Sequence, residues 1–263
     1  HRVDRRQRQM CIRDSVYTGA SVGGSWQWQP HNQYHVKAGA RGLSWAGSQP
    51  ESMSDYRAKI DSVKQPYVSH ETGQWCAFPN FSEIRKYTGV NKAKNFEIFQ
   101  DILNDNHMGS MGHDFMMASG KLQAICYKHE IEKTLRTPDY AGFQLLALND
   151  YSGQGTALVG LLDVFFEEKG YINADEFRRF CSPTVPLARI PKFVYTNDET
   201  FHADIEVSHF GAAPLQGAKT VYSIKDEYGK VYAHGTVGTQ NIPVGNLCPL
   251  GSVDMKLSGI TRP

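Results

Sequence analysis

Apolar and polar positions follow two different patterns along the chain, and the change falls near Pro183. Before it, short apolar runs alternate with stretches of helical periodicity, which predicts both strands and helices. The predicted strands are Val16–Ala20, Gln33–Val36, Pro66–His70 and Ala141–Leu148. The predicted helices are Ser52–Val63, Phe81–Tyr87, Lys92–Asp105, His113–Leu135 and a capped helix that follows Asn173. An order of strand, helices, strand and helix is typical of part of a (β/α) barrel, which is an α/β fold.

The pattern after Pro183 predicts an all-β region. Short runs of alternating character are separated by "GAAPLQG" and "DEYG", which are turn signals of antiparallel strands. These runs are Phe201–Ser208, Thr220–Ile224, Lys230–Thr236 and 251–258. They are too few to close an ordinary seven-stranded sandwich, so we expect a truncated β-sandwich. The predicted division is a non-native leader at 1–15, a partial barrel at 16–190 and the sandwich at 191–263.

Charge and composition exclude several classes of partner. The formal net charge of the 263 residues is +1, and the segment 1–15, "HRVDRRQRQMCIRDS", holds five Arg against two Asp, so the remainder carries a net charge of −2. We interpret this segment as an adaptor-like leader that contributes nothing to the core, and we expect no nucleic-acid partner for the remainder. No stretch approaches the roughly 18 apolar residues that span a bilayer, so no membrane insertion is expected. Oligomeric state and localisation stay open, with the periplasm and secretion both allowed.

A carboxylate that is flanked in sequence by aromatic residues follows the predicted strand Pro66–His70. Glu71 comes directly after it in "YVSHETGQWCAFPNF", and Asn149 and Asp150 follow Ala141–Leu148 in the same way. Strand ends of this kind face the active site of a (β/α) barrel, where aromatic rings stack on sugars and polar groups bond the hydroxyls. A structural role for Glu71, as a helix cap or an ion-pair partner, remains an alternative from position alone. The predicted residues that bind an oligo- or polysaccharide are Tyr34, His35, His70, Trp75, Asn149, Asp150, Trp26 and Trp28.

Four motifs together resemble one enzyme family. "PYVSHETGQW" resembles the seventh-strand motif of glycoside hydrolase family 2, the β-galactosidase and β-glucuronidase family, where the strand ends in the nucleophilic Glu. "YAGFQLLALNDY" is similar to the eighth strand, "HNQYHV" to the sixth, and "TALVGLLDVFFEEKGYINADEFRRF" to the segment that runs into the last helix. The resemblance implies the C-terminal half of a (β/α)8 TIM barrel followed by a truncated immunoglobulin-like sandwich. It also implies that Glu71 is the catalytic nucleophile.

The activity implied by the resemblance is retaining hydrolysis of a β-linked, galactoside-like or glucuronide-like sugar, without a cofactor. Retaining glycosidases need a second carboxyl as general acid and base. The family places it in an Asn-Glu pair at the end of the fourth strand, and this sequence contains no Asn-Glu dipeptide. We therefore expect the sequence to be a fragment that is inactive by itself.

Two further interpretations compete with a glycosidase. A non-catalytic carbohydrate-binding protein would keep the barrel mouth and lack the chemistry. A metal-dependent hydrolase is suggested by His31 and His35, which are four residues apart, and by His70 beside Glu71. Such spacing brings two ligands to one face only on a helix, and here it falls in a loop or strand, so no metal site is predicted. The loop "SGQGTA" could add Gln154 and Thr156 to the mouth.

Overall fold

The computed structural model describes residues 35–37, 42–43, 47–61, 67–151 and 157–260, with the backbone alone described for 35–37. The helices are α1 (Arg57–Ile60), α2 (Lys94–Asp105), α3 (Gly112–Leu135) and α4 (Ala174–Arg178), with 3-10 helices at Phe81–Lys86 and Gly109–Met111. The strands are β1 (His35–Lys37), β2 (Tyr67–Thr72), β3 (Tyr140–Leu145), β4 (Thr184–Arg189), β5 (Thr200–His209), β6 (Leu215–Lys225), β7 (Val231–Ile242) and β8 (Gly245–Lys256). The predicted leader and the predicted strand Val16–Ala20 lie outside the described residues.

The chain divides into two compact units, each drawn from separate stretches of sequence. The first comprises 1–42, 65–130 and 141–178, and the second comprises 43–64, 131–140 and 179–263. None of the helices in the described stretches is both long enough and apolar enough to cross a membrane.

A three-stranded sheet in the order β1-β2-β3 organises the first unit. β1 pairs in parallel with β2, with His35 opposite Tyr67. β3 is the other neighbour of β2, and beyond its end the amide of Leu146 donates to the carbonyl of Thr72 at 2.9 Å. The helices add aromatic packing, because the ring of Phe78 makes edge contacts with three other phenylalanines.

The helix starts in this unit follow local sequence signals. The side chain of Asn80 accepts the amide of Ser82 and so caps the 3-10 helix that follows. Asn173 and Glu176 exchange side chain to backbone hydrogen bonds of 2.9 and 3.1 Å at the start of α4. This reciprocal pair is the capping box that the sequence predicts after Asn173, and the prediction is confirmed.

Antiparallel pairing characterises the second unit. β4 pairs with β5 and β5 with β8, whereas β6 and β7 form a separate two-stranded sheet. The turn between β6 and β7 closes on Asp226, whose side chain accepts the amides of Tyr228 and Lys230. Buried side chains from three strands form one apolar cluster of this unit, namely Val207, Ile242 and Leu250.

The predicted fold class, half of a (β/α)8 TIM barrel followed by a truncated immunoglobulin-like sandwich, is wrong. The described sheets have two or three strands each and none of them closes into a barrel, with 26% helix and 32% strand in the structure. The run Ala141–Leu148 explains part of the error. An interior strand of a barrel is buried on both faces, but only Tyr140 of β3 is buried and its other residues are exposed or half-buried.

Candidate functional site

Glu71 lies near the end of β2 in a left-handed backbone conformation that residues other than glycine seldom adopt. Its φ is +58°, and Gly73 follows with a φ of +86°. A left-handed conformation at a residue other than glycine costs about 1–2 kcal/mol, and such positions cluster at functional sites. The carboxylate is largely enclosed, with 13% of the side chain exposed. The end of β2 thus holds an enclosed carboxylate on a strained backbone.

Two neighbouring side chains contact the Glu71 carboxylate. Gln74 donates from Nε2 to Oε2 at 3.2 Å, and His70 Nε2 lies 3.9 Å from Oε1. The other ring nitrogen of His70, Nδ1, lies 3.0 Å from the amide oxygen of Gln144 on β3. Because an amide oxygen only accepts, Nδ1 carries a proton and Nε2 has none when the imidazole is neutral. At 3.9 Å, this Nε2 atom is too far from Glu71 Oε1 for a hydrogen bond, so the His70 ring lies beside the carboxylate without donating to it through this nitrogen.

Trp75 is fixed by a buried carboxylate that the sequence did not single out. Glu130 on α3 is 2% exposed and accepts the indole N–H of Trp75 at 3.0 Å. It also accepts the backbone N–H groups of Gly73 at 3.1 Å and Gly42 at 2.6 Å. Hydrogen bonds to an ionised acceptor are about twice as strong as neutral ones. Glu130 therefore sets both the turn after Glu71 and the orientation of the half-buried indole.

Two more polar residues on the same face of α3 hold the segment that follows 156. Tyr127 donates its hydroxyl to the carbonyl of Val159 at 2.7 Å. Gln123 donates to the carbonyl of Leu158 at 2.9 Å and also to that of Trp75. Burial raises the pKa of Tyr127, with Glu130 adding to the effect, so its phenol stays protonated. The only sequence signal for this set was its spacing of four and three residues along a helix.

Asp150 occupies a structural position. It is 2% exposed, and its Oδ2 pairs with Lys169 Nζ at 2.6 Å while Oδ1 accepts the amide of Gly160 at 2.9 Å. Burial raises its pKa, and Lys169 opposes that effect. Both oxygens are thus engaged within the protein. Half-buried Asn149 donates its amide to the backbone carbonyl of Asp150 at 2.9 Å.

The structure gathers Glu71, His70 and Trp75 at the end of β2, and adds Gln74 and Glu130 to them. His35 lies in β1 beside β2, with only its backbone described. The remaining predicted residues, Trp26, Trp28, Tyr34, Gln154 and Thr156, lie outside the described residues. Within the described stretches, no three His, Cys, Asp or Glu side chains gather as a metal site would require.

Comparison with known families gives one match, outside this site. A domain of unknown function (DUF8488) matches residues 199–263, which include β5 to β8 of the second unit. The search of curated proteins found no match to the chain. The match assigns no chemistry, so the function must be argued from the residues around Glu71.

Proposed function

We propose that Glu71 is the nucleophile of a retaining glycosidase that acts on a β-linked, galactoside-like or glucuronide-like sugar. The observation that carries the proposal is the enclosed Glu71 carboxylate at a strand end, held on a strained backbone between His70 and Gln74. Strain of this kind persists only where the surroundings hold it in place, and it is common at catalytic groups. The motif "PYVSHETGQW" supplies the reaction class through its resemblance to glycoside hydrolase family 2.

The chemistry is a double displacement. A carboxylate oxygen of Glu71 bonds to the anomeric carbon as the bond from that carbon to the leaving oxygen breaks, and a second carboxyl protonates the leaving oxygen. Water, deprotonated by the same second group, then attacks the anomeric carbon and frees Glu71. The hydrogen bond from Gln74 orients the nucleophile, and the ring of Trp75 offers a surface on which the sugar stacks.

Two buried carboxyls near these elements are unsuitable as the acid. Glu130 accepts three N–H groups, and Asp150 is paired with Lys169. Neither is proposed for proton transfer. This observation favours a second candidate function, a carbohydrate-binding protein that uses the same surface and performs no hydrolysis.

An activated, slowly hydrolysed sugar separates the two candidates. Dinitrophenyl 2-deoxy-2-fluoro-β-galactoside and the matching glucuronide have a leaving group that departs without protonation, so labelling requires the nucleophile alone. We expect a covalent mass increase on the peptide that contains "SHETGQW", abolished in Glu71→Gln. Glu176→Gln, at an exposed position in the same unit, is the control and should label normally.

The outcomes assign the function. A label on any other residue, or labelling of Glu71→Gln at the wild-type rate, would refute the nucleophile. Sugar binding by calorimetry without any label from either reagent would favour the carbohydrate-binding candidate.

A further inference from the structure

Glu83 is a buried carboxyl that takes no part in the proposed chemistry. It lies in the 3-10 helix Phe81–Lys86 and is 1% exposed. Its Oε2 atom has no hydrogen-bond partner among the described residues. An ionised carboxylate is costly to bury unless it is paired and hydrogen-bonded. Such a group is stable in the interior only if it keeps its proton or has a cation of its own.

The cations near Glu83 are bonded to other carboxylates. Lys169 Nζ lies 2.6 Å from Asp150, and Lys86 Nζ lies 2.7 Å from Asp163. Lys86 also pairs with the exposed Glu167 at 2.8 Å. Asp150 and Asp163 are each 2% exposed, so the interior holds three carboxyls against two lysines. Glu83 is the carboxyl left without a cation.

The other titratable groups that act on this cluster do not supply a charge to neutralise Glu83. The phenols of Tyr87 and Tyr171 have raised pKa values, caused first by burial and then by nearby carboxyls that include Glu83. They therefore remain neutral. The pKa of Glu83 is raised to about 7. Burial is the largest cause, and the negative charges of Asp163 and Asp150 add to it, whereas Lys169 and Lys86 oppose it.

Asp150 and Lys169 also bond the backbone of Gly160, which packs against the predicted sugar-binding residue Asn149. Asp150 accepts the amide of Gly160, and Lys169 donates to the carbonyl of Gly160 at 2.8 Å. Gly160 packs so closely on the preceding turn that a Cβ there would lie 2.2 Å from the carbonyl carbon of Asn149. The 3-10 helix that carries Glu83 packs on the segment around Gly160, because Phe81 and Ile84 contact the buried cluster that contains Leu158. A charge on Glu83 also acts electrostatically on Asp150 and Lys169, which hold Gly160.

We propose that Glu83 is a buried proton-binding site that acts as a pH-sensitive lock on the first unit. When Glu83 is protonated, the two lysines balance Asp150 and Asp163, and the segment around Gly160 stays closed. When Glu83 loses its proton, a third negative charge is buried without a partner, and the segment opens more readily. The lock acts through the stability of the unit, so it does not depend on the proposed glycosidase activity.

The sign of the pH dependence follows from linkage. The folded state holds the proton more tightly than the unfolded state, so the stabilisation is present below the ordinary pKa of a Glu and is lost as pH rises through the folded value. Between pH 5 and 7 the opening equilibrium constant should increase about 40-fold through this group alone, because the open state loses the proton near the ordinary pKa of 4.5 and the folded state loses it near 7.

Hydrogen exchange at several pH values tests the lock. Opening constants of peptides covering 157–163, corrected for intrinsic exchange rates, are compared between wild type and Glu83→Gln, which stays neutral at every pH. The ratio of wild type to variant should rise about 40-fold from pH 5 to 7. The exposed Glu168→Gln variant should keep the wild-type dependence.

An unchanged pH dependence in Glu83→Gln would overturn the proposal. If that variant does not fold, the ¹³C chemical shift of the Glu83 carboxyl in wild type decides. A midpoint near pH 7 supports the lock, whereas one at the ordinary pKa of a Glu overturns it.

Discussion

Gly73 connects Glu71 to the face of α3, and replacing it with alanine should be costly for two separable reasons. Its φ is +86°, and an added Cβ would lie 1.9 Å from Cε1 of Tyr127. The left-handed conformation costs about 1–2 kcal/mol for a residue with a Cβ. Overpacking against a buried ring adds typically 1–3 kcal/mol. We therefore expect Gly73→Ala to lower the free energy of unfolding by about 2–5 kcal/mol.

Three other glycines of the same unit separate the two contributions. Gly170 has a φ of +88° with open space around it, so Gly170→Ala measures the backbone cost alone, about 1–2 kcal/mol. Gly160 has no left-handed φ but would clash with backbone, so Gly160→Ala measures the contact cost. Gly89 has neither feature and should change stability by less than about 0.5 kcal/mol.

Urea unfolding gives the free energies, and hydrogen exchange of peptides from the first unit identifies where stability is lost. Truncation of the opposing ring provides an internal check: Tyr127→Ala removes the clash, so Gly73→Ala should cost less in that background than in wild type. The reasoning is refuted if Gly73→Ala destabilises no more than Gly89→Ala, or if Tyr127→Ala leaves its cost unchanged.

Three further outcomes follow from buried or paired charges. Lys169→Met leaves Asp150 as a buried charge without its cation and should cost about 3–5 kcal/mol in urea unfolding, and a loss below about 1 kcal/mol would contradict that pairing. Glu130→Gln replaces a carboxylate that accepts three N–H groups by an amide with one acceptor oxygen, and should cost about 1–3 kcal/mol by the same assay; an unchanged midpoint would argue against its role. The hydrogen bond from His202 to Asp254 raises the histidine pKa, so stability should fall as pH rises above 6.5 through the folded value. Asp254→Asn should weaken that dependence in thermal unfolding, and an equal dependence in the variant would disprove it.

Local signals in the sequence predicted local structure well. The apolar run before Glu71 forms β2, which begins at Tyr67, one residue inside the predicted strand. Asn173 and Glu176 form the predicted capping box. Both features depend on residues within a few positions of one another, so the information that determines them is contained in a short window of sequence.

Long-range pairing explains what the sequence did not reveal about the site. Asp150 follows an apolar run, which suggests an exposed strand end, but its partner Lys169 lies 19 residues later and the ion pair is buried. On α3, Leu122 and Ile125 recur at helical spacing, yet each is more than half exposed. The helix buries polar Glu130 instead, because N–H groups from distant parts of the chain satisfy its carboxylate.

The error in the fold class does not by itself overturn the proposal for Glu71, because the two depend on different amounts of structure. A barrel requires many strands in one register, whereas a nucleophile requires one carboxylate, held in place and open to an anomeric carbon. The left-handed φ values at Glu71 and Gly73 and the contact with Gln74 fall within residues 71–74, and Glu130 on α3 holds this turn through the amide of Gly73. The acid and base would have to come from another element, about 5–5.5 Å from Glu71 in a retaining enzyme. Because the activated fluoro sugar needs no acid, it tests the nucleophile independently of the fold that surrounds it.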